Sequence, residues 1–380
     1  MDTPASEQTT VLLIDPERPD PAALALGGQL LHEGRLVAFP TETVYGLGAN
    51  AFDDQAVRRI FAAKGRAAND PIIVHIANAA HLSEVVLDTP DIVHALAARF
   101  WPGPLTVVLP KSPRIPDSAT AGLPTVAVRV PRHPVAQGLL GAAGVPIAAP
   151  SANTFTRTSA TTAAHVLEDL GGKVALILDG GPAPIGIEST VIQITGDEVR
   201  LLRPGAVPAE AVDAVLAEFG LARATGTQPA RPAGSRAAAG TVQEAAPALS
   251  PGQMLKHYAP RARVLYFEGP AEPARAAMRQ AVRDELARGH TVGLLLCHED
   301  GPLFTGLVSG AEPPGQLAVE ELGSCADLAV IGQRLFAAMR RLDARGVDVI
   351  CARSLPTGGM GLAIADRLTR AAGGNVIHVP

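Results

Sequence analysis

Residues 36–75 read LVAFPTETVYGLGANAFDDQAVRRIFAAKGRAANDPIIVH. The apolar run Leu36-Val37-Ala38-Phe39 is stopped by Pro40, and hydroxyls and a carboxylate follow at Thr41, Glu42 and Thr43. A short apolar run ended by a turn signal reads as a buried strand. Residues 55–63 place Val57, Ile60 and Phe61 on one helical face, with Asp53 or Asp54 available as the cap. That helix runs into Lys64-Gly65-Arg66, and a second apolar run, 72–76, carries His75. Polar groups at a strand end occupy the usual position of ligand contacts in α/β sheets. Two fixed cations nearby suit a phosphate. The stretch therefore suits a small polar substrate held beside a phosphate.

The rest of the chain bounds this reading. A length of 380 residues exceeds one comfortable domain, so two are expected. Apolar content of 47% with 18% charge describes a globular protein, and 3% aromatics mean cores of Ala, Val, Leu and Ile. A net charge of −5 argues against a dedicated nucleic-acid binder. Cys297, Cys325 and Cys351 are far apart, which fits neither a disulfide framework nor paired metal-ligand spacing. The first ten residues lack a signal-peptide pattern, and no apolar run approaches membrane-spanning length. The expectation is a soluble cytoplasmic protein with no membrane contact.

Strands are expected at 11–14, 36–39, 72–76, 105–109, 125–130, 145–149 and 174–179, with a hairpin of 189–194 and 199–202 around Thr195-Gly196-Asp197. Helices are expected at 21–33, 90–100, 135–140 and 161–170. This mixture predicts an α/β domain with a mixed, twisted sheet and helices rather than a regular βαβ array. From about 220 to 262 the chain turns rich in Ala, Pro, Gly, Ser and Thr, a linker composition. Beyond it, strands at 263–267, 291–297, 347–351 and 375–379 alternate with helices at 273–288, 326–345 and 361–372. That is a small Rossmann-like three-layer α/β domain with a parallel sheet. The organisation is thus 1–215, a linker or lid over 216–262, and 263–380. Gly269 stands without a GxGxxG fingerprint, no Walker A loop occurs, and no HExxH pattern suggests zinc.

Several residues could carry chemistry, each with a plain structural alternative. Lys64 and Arg66 could hold a triphosphate, or simply end a helix whose dipole favours cations. Thr41 and Thr43 could meet a ligand or satisfy their own turn. His75 sits in an apolar strand, where a buried core histidine is the commoner reading. Thr125 and Arg129 share a strand face. Ser151, Asn153 and Ser159 could bind or cap. Glu188-Ser189-Thr190 and Arg203-Pro204-Gly205 could be a polar edge and a surface turn.

Taken in order, Phe39-Pro-Thr-Glu-Thr-Val-Tyr-Gly-Leu-Gly48, Lys64-Gly-Arg66, Trp101-Pro-Gly-Pro-Leu-Thr106, Ala127-Val-Arg-Val-Pro131, Ala149-Pro-Ser-Ala-Asn153, Glu188-Ser-Thr-Val191 and Arg203-Pro-Gly205 resemble the YrdC-type threonylcarbamoyl-AMP synthases. Ser250-Pro-Gly and Lys256-His-Tyr-Ala-Pro260, with the domain that follows, resemble the family's long, two-domain form.

The resemblance implies a nucleotidyltransferase joining L-threonine, bicarbonate and ATP into threonylcarbamoyl-AMP, with release of pyrophosphate. The activated group would pass through tRNA threonylcarbamoyl-transfer proteins to adenosine 37 of tRNA, so tRNA is met only indirectly. It implies catalytic roles for Lys64 and Arg66. Threonine contacts fall on Thr43, His75, Arg129, Ala149 and Ser189. ATP contacts fall on Arg66, Asn69 or Asp70, Thr125, Ser151, Asn153, Ser159, Arg203 and Tyr258. Mg²⁺ is expected with ATP, without an assigned protein ligand. Three positions depart from the family pattern: Asp70 stands where Asn is usual, Thr156 where Gly is, and Ala160 where Pro is. An RNA-binding protein on the same fold is a second reading, disfavoured by the charge and the few aromatics. A carbamoyl-phosphate user is a third, and no zinc-bearing extension supports it.

Overall fold

A computed structural model describes residues 8–224, 257–304 and 315–380. Most of the expected linker, with Ser250 to Lys256 of its motif, lies outside the described residues.

Ten strands form the first sheet: β1 Thr10–Leu13, β2 Val37–Phe39, β3 Gly46–Asn50, β4 Ile73–His75, β5 Leu105–Pro110, β6 Thr125–Arg129, β7 Ile147–Ala148, β8 Leu176–Asp179, β9 Thr190–Thr195 and β10 Glu198–Arg203. Their order is β1-β8-β2-β3-β7-β4-β6-β5-β9-β10, with parallel and antiparallel neighbours mixed as expected. Five more build a wholly parallel second sheet: β11 Arg263–Glu268, β12 Val292–Cys297, β13 Leu317–Gly323, β14 Val349–Arg353 and β15 Val376–His378. Their order is β13-β12-β14-β11-β15.

Helix ends follow their caps. Asp20 accepts from the Ala22 N–H before Pro21–His32. Asp53 accepts from Gln55 and Ala56 before Asp54–Lys64, and Gly65 at φ +63° closes that helix. Ala56, Val57, Ile60 and Lys64 form its buried face, so the terminal lysine points inward.

Among the elements that escaped the pattern reading, three shape the packing. Residues 46–50 form strand β3, for which no element was expected, because glycine hid the apolar alternation. A Cβ at Gly48 would stand 2.9 Å from both Phe39 and Ile147, so only glycine lets these strands pack. β13 is a half-polar strand pairing only with β12, and its sequence lacks a buried run. The helix Ala209–Glu218 buries Val212, Val215 and Leu216 in the first core.

The two sheets meet through side chains. Val44, Ile187 and Tyr258 belong to one buried cluster with Ile331, Leu335, Phe336 and Ile364 of the C-terminal unit. Gly186 and Gly332 allow the approach, since a Cβ on Gly186 would lie 2.5 Å from the Gln333 main chain. Arg340 donates to Thr158 O at 2.6 Å and pairs with Asp169, and Arg157 pairs with Asp343.

Candidate functional site

Sheet register assembles the site. β4 and β6 run parallel with His75 opposite Arg129, so both side chains end at one sheet edge. β9 runs parallel to β5, which is antiparallel to β6, and this brings Ser189, just before β9, to that same edge. The loops after β2 and β7 supply Thr41 to Tyr45 and Ala149 to Ser151. Gly205 backs the site: a Cβ there would lie 2.3 Å from the Ser189–Thr190 main chain.

A cavity with about 520 Å³ of empty space, including space open to solvent, lies at this edge. Of the expected contacts, Thr43, Arg66, His75, Arg129, Ala149, Ser151, Ser189, Arg203 and Tyr258 line it. Arg129 donates to Gly103 O (3.2 Å) and Thr43 Oγ1 (2.9 Å), and its Nη2 lies 2.6 Å from Glu42 Oε1, out of hydrogen-bond alignment. Burial alone would raise the Glu42 pKa, but the Arg129 guanidinium and the Arg132 N–H hold it below the ordinary value. Thr41 closes its own turn onto Val44 while touching Thr43 at 2.8 Å.

Burial, with Arg129 adding, pushes the His75 pKa down to about 3, so the ring is neutral, and its buried Nδ1 has no hydrogen-bond partner. Ser189 Oγ meets Thr106 Oγ1 at 2.8 Å, and Arg203 donates to both Ser189 O and Oγ.

A second group surrounds Arg66. It donates to the carbonyls of Asp70 (3.1 Å) and Pro71 (2.8 Å) and pairs with the Asp70 carboxylate at 2.8 Å. Its guanidinium lies over Phe155, which meets His257 edge-on, and His257 meets Tyr258 at 4.1 Å. Tyr258 is buried at φ +60° and stacks on Phe336. Burial, then the charges of Arg66 and Lys64, hold His257 well below its ordinary pKa.

Other expected contacts do not line the cavity. Lys64 is buried and donates to the carbonyls of Ser151 and Asn153, fixing the loop after β7. Burial, with Arg66 adding, holds its pKa well below the ordinary value. Asn153 closes the same loop onto Thr154 O and Arg157 O. Ser159 donates to Glu188 at 2.5 Å. Asp70 faces Arg66, and Asn69 is half-buried outside the cavity. Thr125 sits opposite Pro110 at the far end of β6. Four steps of ~3.3 Å each separate it from Arg129, so a shared face leaves the two at opposite ends of the strand. Thr156 adopts φ +64°, in the left-handed region that favours glycine.

Sequence reading noted Glu42 and Glu188 only as polar groups at strand ends, and did not single out Tyr45 or His257 as site residues. Tyr45, Glu188 and His257 line the cavity, and Glu42 stands behind Arg129. Adjacency was the available signal for Glu42, Glu188 and His257, each next to a named contact, while Tyr45 lies two positions beyond Thr43. Among the described residues one group has converging metal-type ligands, Cys297, Glu299 and Cys325. Both Glu299 oxygens are engaged by Ser324 and the Cys325 N–H, and Arg353 stands 3.1 Å from the Cys325 sulfur.

Three arginines against one carboxylate, with hydroxyls and a neutral imidazole between them, define an α/β protein built to hold a small anionic substrate next to a second, more highly charged one. Comparison with known proteins narrows this. Residues 29–205 match the family model described as "Telomere recombination", and residues 207–373 match "Threonylcarbamoyl-AMP synthase, C-terminal domain". The chain is 40% identical to the threonylcarbamoyl-AMP synthase of Pyrococcus abyssi over 371 residues, 97% of this chain and 100% of that one. It is also 40% identical to the Bacillus subtilis threonylcarbamoyl-AMP synthase, over 93% of this chain and 94% of that one. The solved structure of P. abyssi Sua5 complexed with L-threonine superposes with a TM-score of 0.84, covering 98% of this chain and 100% of that chain. The chain belongs to the threonylcarbamoyl-AMP synthase family, in its two-domain form.

Proposed function

We propose that this protein is a nucleotidyltransferase that makes L-threonylcarbamoyl-AMP and pyrophosphate from L-threonine, bicarbonate and ATP. The observation that carries this reading is one cavity in which Arg129, Thr43, His75 and Ser189 stand with Arg66 and Arg203. Residues 1–215 bind the substrates, residues 216–262 are the lid, and residues 263–380 support both. The product would go to tRNA threonylcarbamoyl-transfer proteins for modification of adenosine 37. That use fits a cytoplasmic location, and among the described residues no helix is long and apolar enough to cross a membrane.

Threonine's carboxylate meets Arg129, whose Nη2 keeps donor capacity because it is not aligned on Glu42. The Ala149 main chain and the hydroxyls of Thr43 and Ser189 complete that end. His75, uncharged, offers Nδ1 as an acceptor to an N–H or O–H of threonine. The threonine nitrogen adds to the carbon of bicarbonate, water leaves, and a carbamate forms. A carbamate oxygen then attacks the α-phosphorus of ATP in line, and the bond to pyrophosphate breaks. Positioning and fixed charge suffice, with no covalent enzyme intermediate.

Arg66 and Arg203 face the charge that grows on the phosphates. Lys64 acts from behind, by fixing the carbonyls on either side of Ala152 so that Ser151 is presented to ATP. Asp70 steadies Arg66, while Ser159 and Asn153 shape the loop. Mg²⁺ accompanying ATP would neutralise triphosphate charge, held mainly by phosphate oxygens and water. Glu188, the carboxylate on the cavity wall, fits a protein ligand poorly, because Ser159 and Arg367 already occupy its oxygens. Tyr258 and His257 wall the nucleotide end and exclude water from a labile adenylate.

The test is incubation with ATP, L-threonine and bicarbonate. Pyrophosphate release that requires all three, with threonylcarbamoyl-AMP found by mass spectrometry, is the expected result. Salt-sensitive RNA binding without pyrophosphate would favour the nucleic-acid reading instead.

A further inference from the structure

Arg367 lies on the C-terminal helix Gly361–Ala372, about 180 residues beyond the cavity wall it serves, and it is completely buried. Its Nε donates to Glu188 Oε2 at 2.7 Å, across the interface between the two sheets. Glu188 in turn takes the Ser159 hydroxyl on its other oxygen and precedes Ser189 on the cavity wall. The guanidinium also stands over the Tyr258 ring, 4.9 Å from its centre, and Phe336 stacks on the same ring at 5.5 Å. Nη1 meets Asp366, and Nη2 is buried with no hydrogen-bond partner.

A counter-charge for Glu188 needs only one contact. This side chain instead touches both parts of the wall that face the nucleotide end, and it keeps one donor unused. Buried donors without partners are rare enough in folded proteins to call for an explanation. A planar guanidinium can support an aromatic ring and orient a carboxylate at once, which an ammonium cannot do.

We propose that Arg367 is a positioning residue of the nucleotide end: it fixes Tyr258 through its plane and Glu188, with Ser159, through Nε. The C-terminal domain thereby forms part of the active site rather than only carrying the linker. This rests on the ATP reading above. Threonine, held at the β4–β6 edge by Arg129, lies outside the direct reach of this arrangement.

The experiment uses the full chain with Arg367→Met and Arg367→Lys, at a temperature where both are folded. Melting temperature, threonine Kd by calorimetry and KM for ATP by pyrophosphate release are measured. Arg367→Met is expected to raise KM for ATP by about tenfold while threonine Kd stays within about twofold. Arg367→Lys is expected to recover melting temperature, because a cation again faces Glu188, yet to keep KM for ATP raised. An unchanged KM, an equal loss of threonine and ATP binding, or recovery of KM in Arg367→Lys overturns the proposal. Should Arg367→Met fail to fold, the lysine variant decides alone. Wild-type protein without ATP-dependent pyrophosphate release defeats the functional reading itself. Normal wild-type turnover with unaffected variants defeats only the role of Arg367.

Discussion

Glu42 and Arg129 face each other 2.6 Å apart at the base of the cavity, both almost wholly buried, yet out of hydrogen-bond alignment. The carboxylate is anchored by the Arg132 N–H at 2.9 Å, and Arg129 by the Gly103 carbonyl and the Thr43 hydroxyl, so the pair is held from both sides with Arg129 Nη2 at its centre.

Replacing Glu42 by Gln should leave Arg129 buried without its counter-charge. Breaking a buried pair costs about 3–5 kcal/mol, so the melting temperature should fall clearly. L-threonine should then stabilise Glu42→Gln more than wild type, because its carboxylate supplies the missing charge. Thermal melts with and without threonine check this, and an equal shift in both proteins would argue against Arg129 as the carboxylate site.

Asp70 pairs with Arg66 at 2.8 Å, and both side chains are buried. Asp70→Asn should release Arg66 toward phosphate and lower KM for ATP, by a few-fold for about 1 kcal/mol. Threonine Kd should not move. A raised KM in this variant would show that the carboxylate is needed to hold Arg66 in place.

Thr156 holds φ +64°, and its carbonyl accepts from the Ala259 N–H at 2.9 Å next to Tyr258. A β-branched residue in this region is strained by roughly 1–2 kcal/mol, against which glycine's extra chain entropy must be set. Thr156→Gly should therefore stabilise the protein by about 1 kcal/mol. Denaturant unfolding measures it, and a destabilised variant would show that the methyl and hydroxyl contribute more than the strain costs.

Acid should destabilise the protein through its buried histidines. Burial lowers His75 from 6.5 to about 3 and His165 to about 4, with Arg129 and Arg340 adding to the respective shifts. Between those values and 6.5 the unfolded chain binds protons that the folded chain does not, so stability falls as pH drops through that window. His75→Gln should flatten the slope by about one proton. An unchanged slope in unfolding experiments from pH 6.5 to 4 would mean that His75 titrates normally.

Much of this was legible in order along the chain. The strands around 36–39, 72–76, 125–130 and 145–149 announced themselves by apolar runs, Lys64 and Arg66 by their place at a helix end, and Arg129 and Ser151 by theirs at strand ends. Strand β3 was hidden because Gly46 and Gly48 carry no side chain to alternate. Thr125 does not line the cavity, because two residues on one strand face can stand at opposite ends of it.

The sequence by itself determined the two-domain α/β architecture, the family motifs and the residue types at the cavity. Such local features depend on periodicity, capping and turn chemistry, all written in neighbouring residues. Only the tertiary structure decided which cations face the cavity and which are spent on the scaffold. Lys64 turned out to hold main-chain carbonyls, Asp70 to pair with Arg66, and Arg367 to reach Glu188 across 179 positions of sequence. Those partnerships depend on strand order and domain contact, where buried charges must find partners wherever the fold brings them.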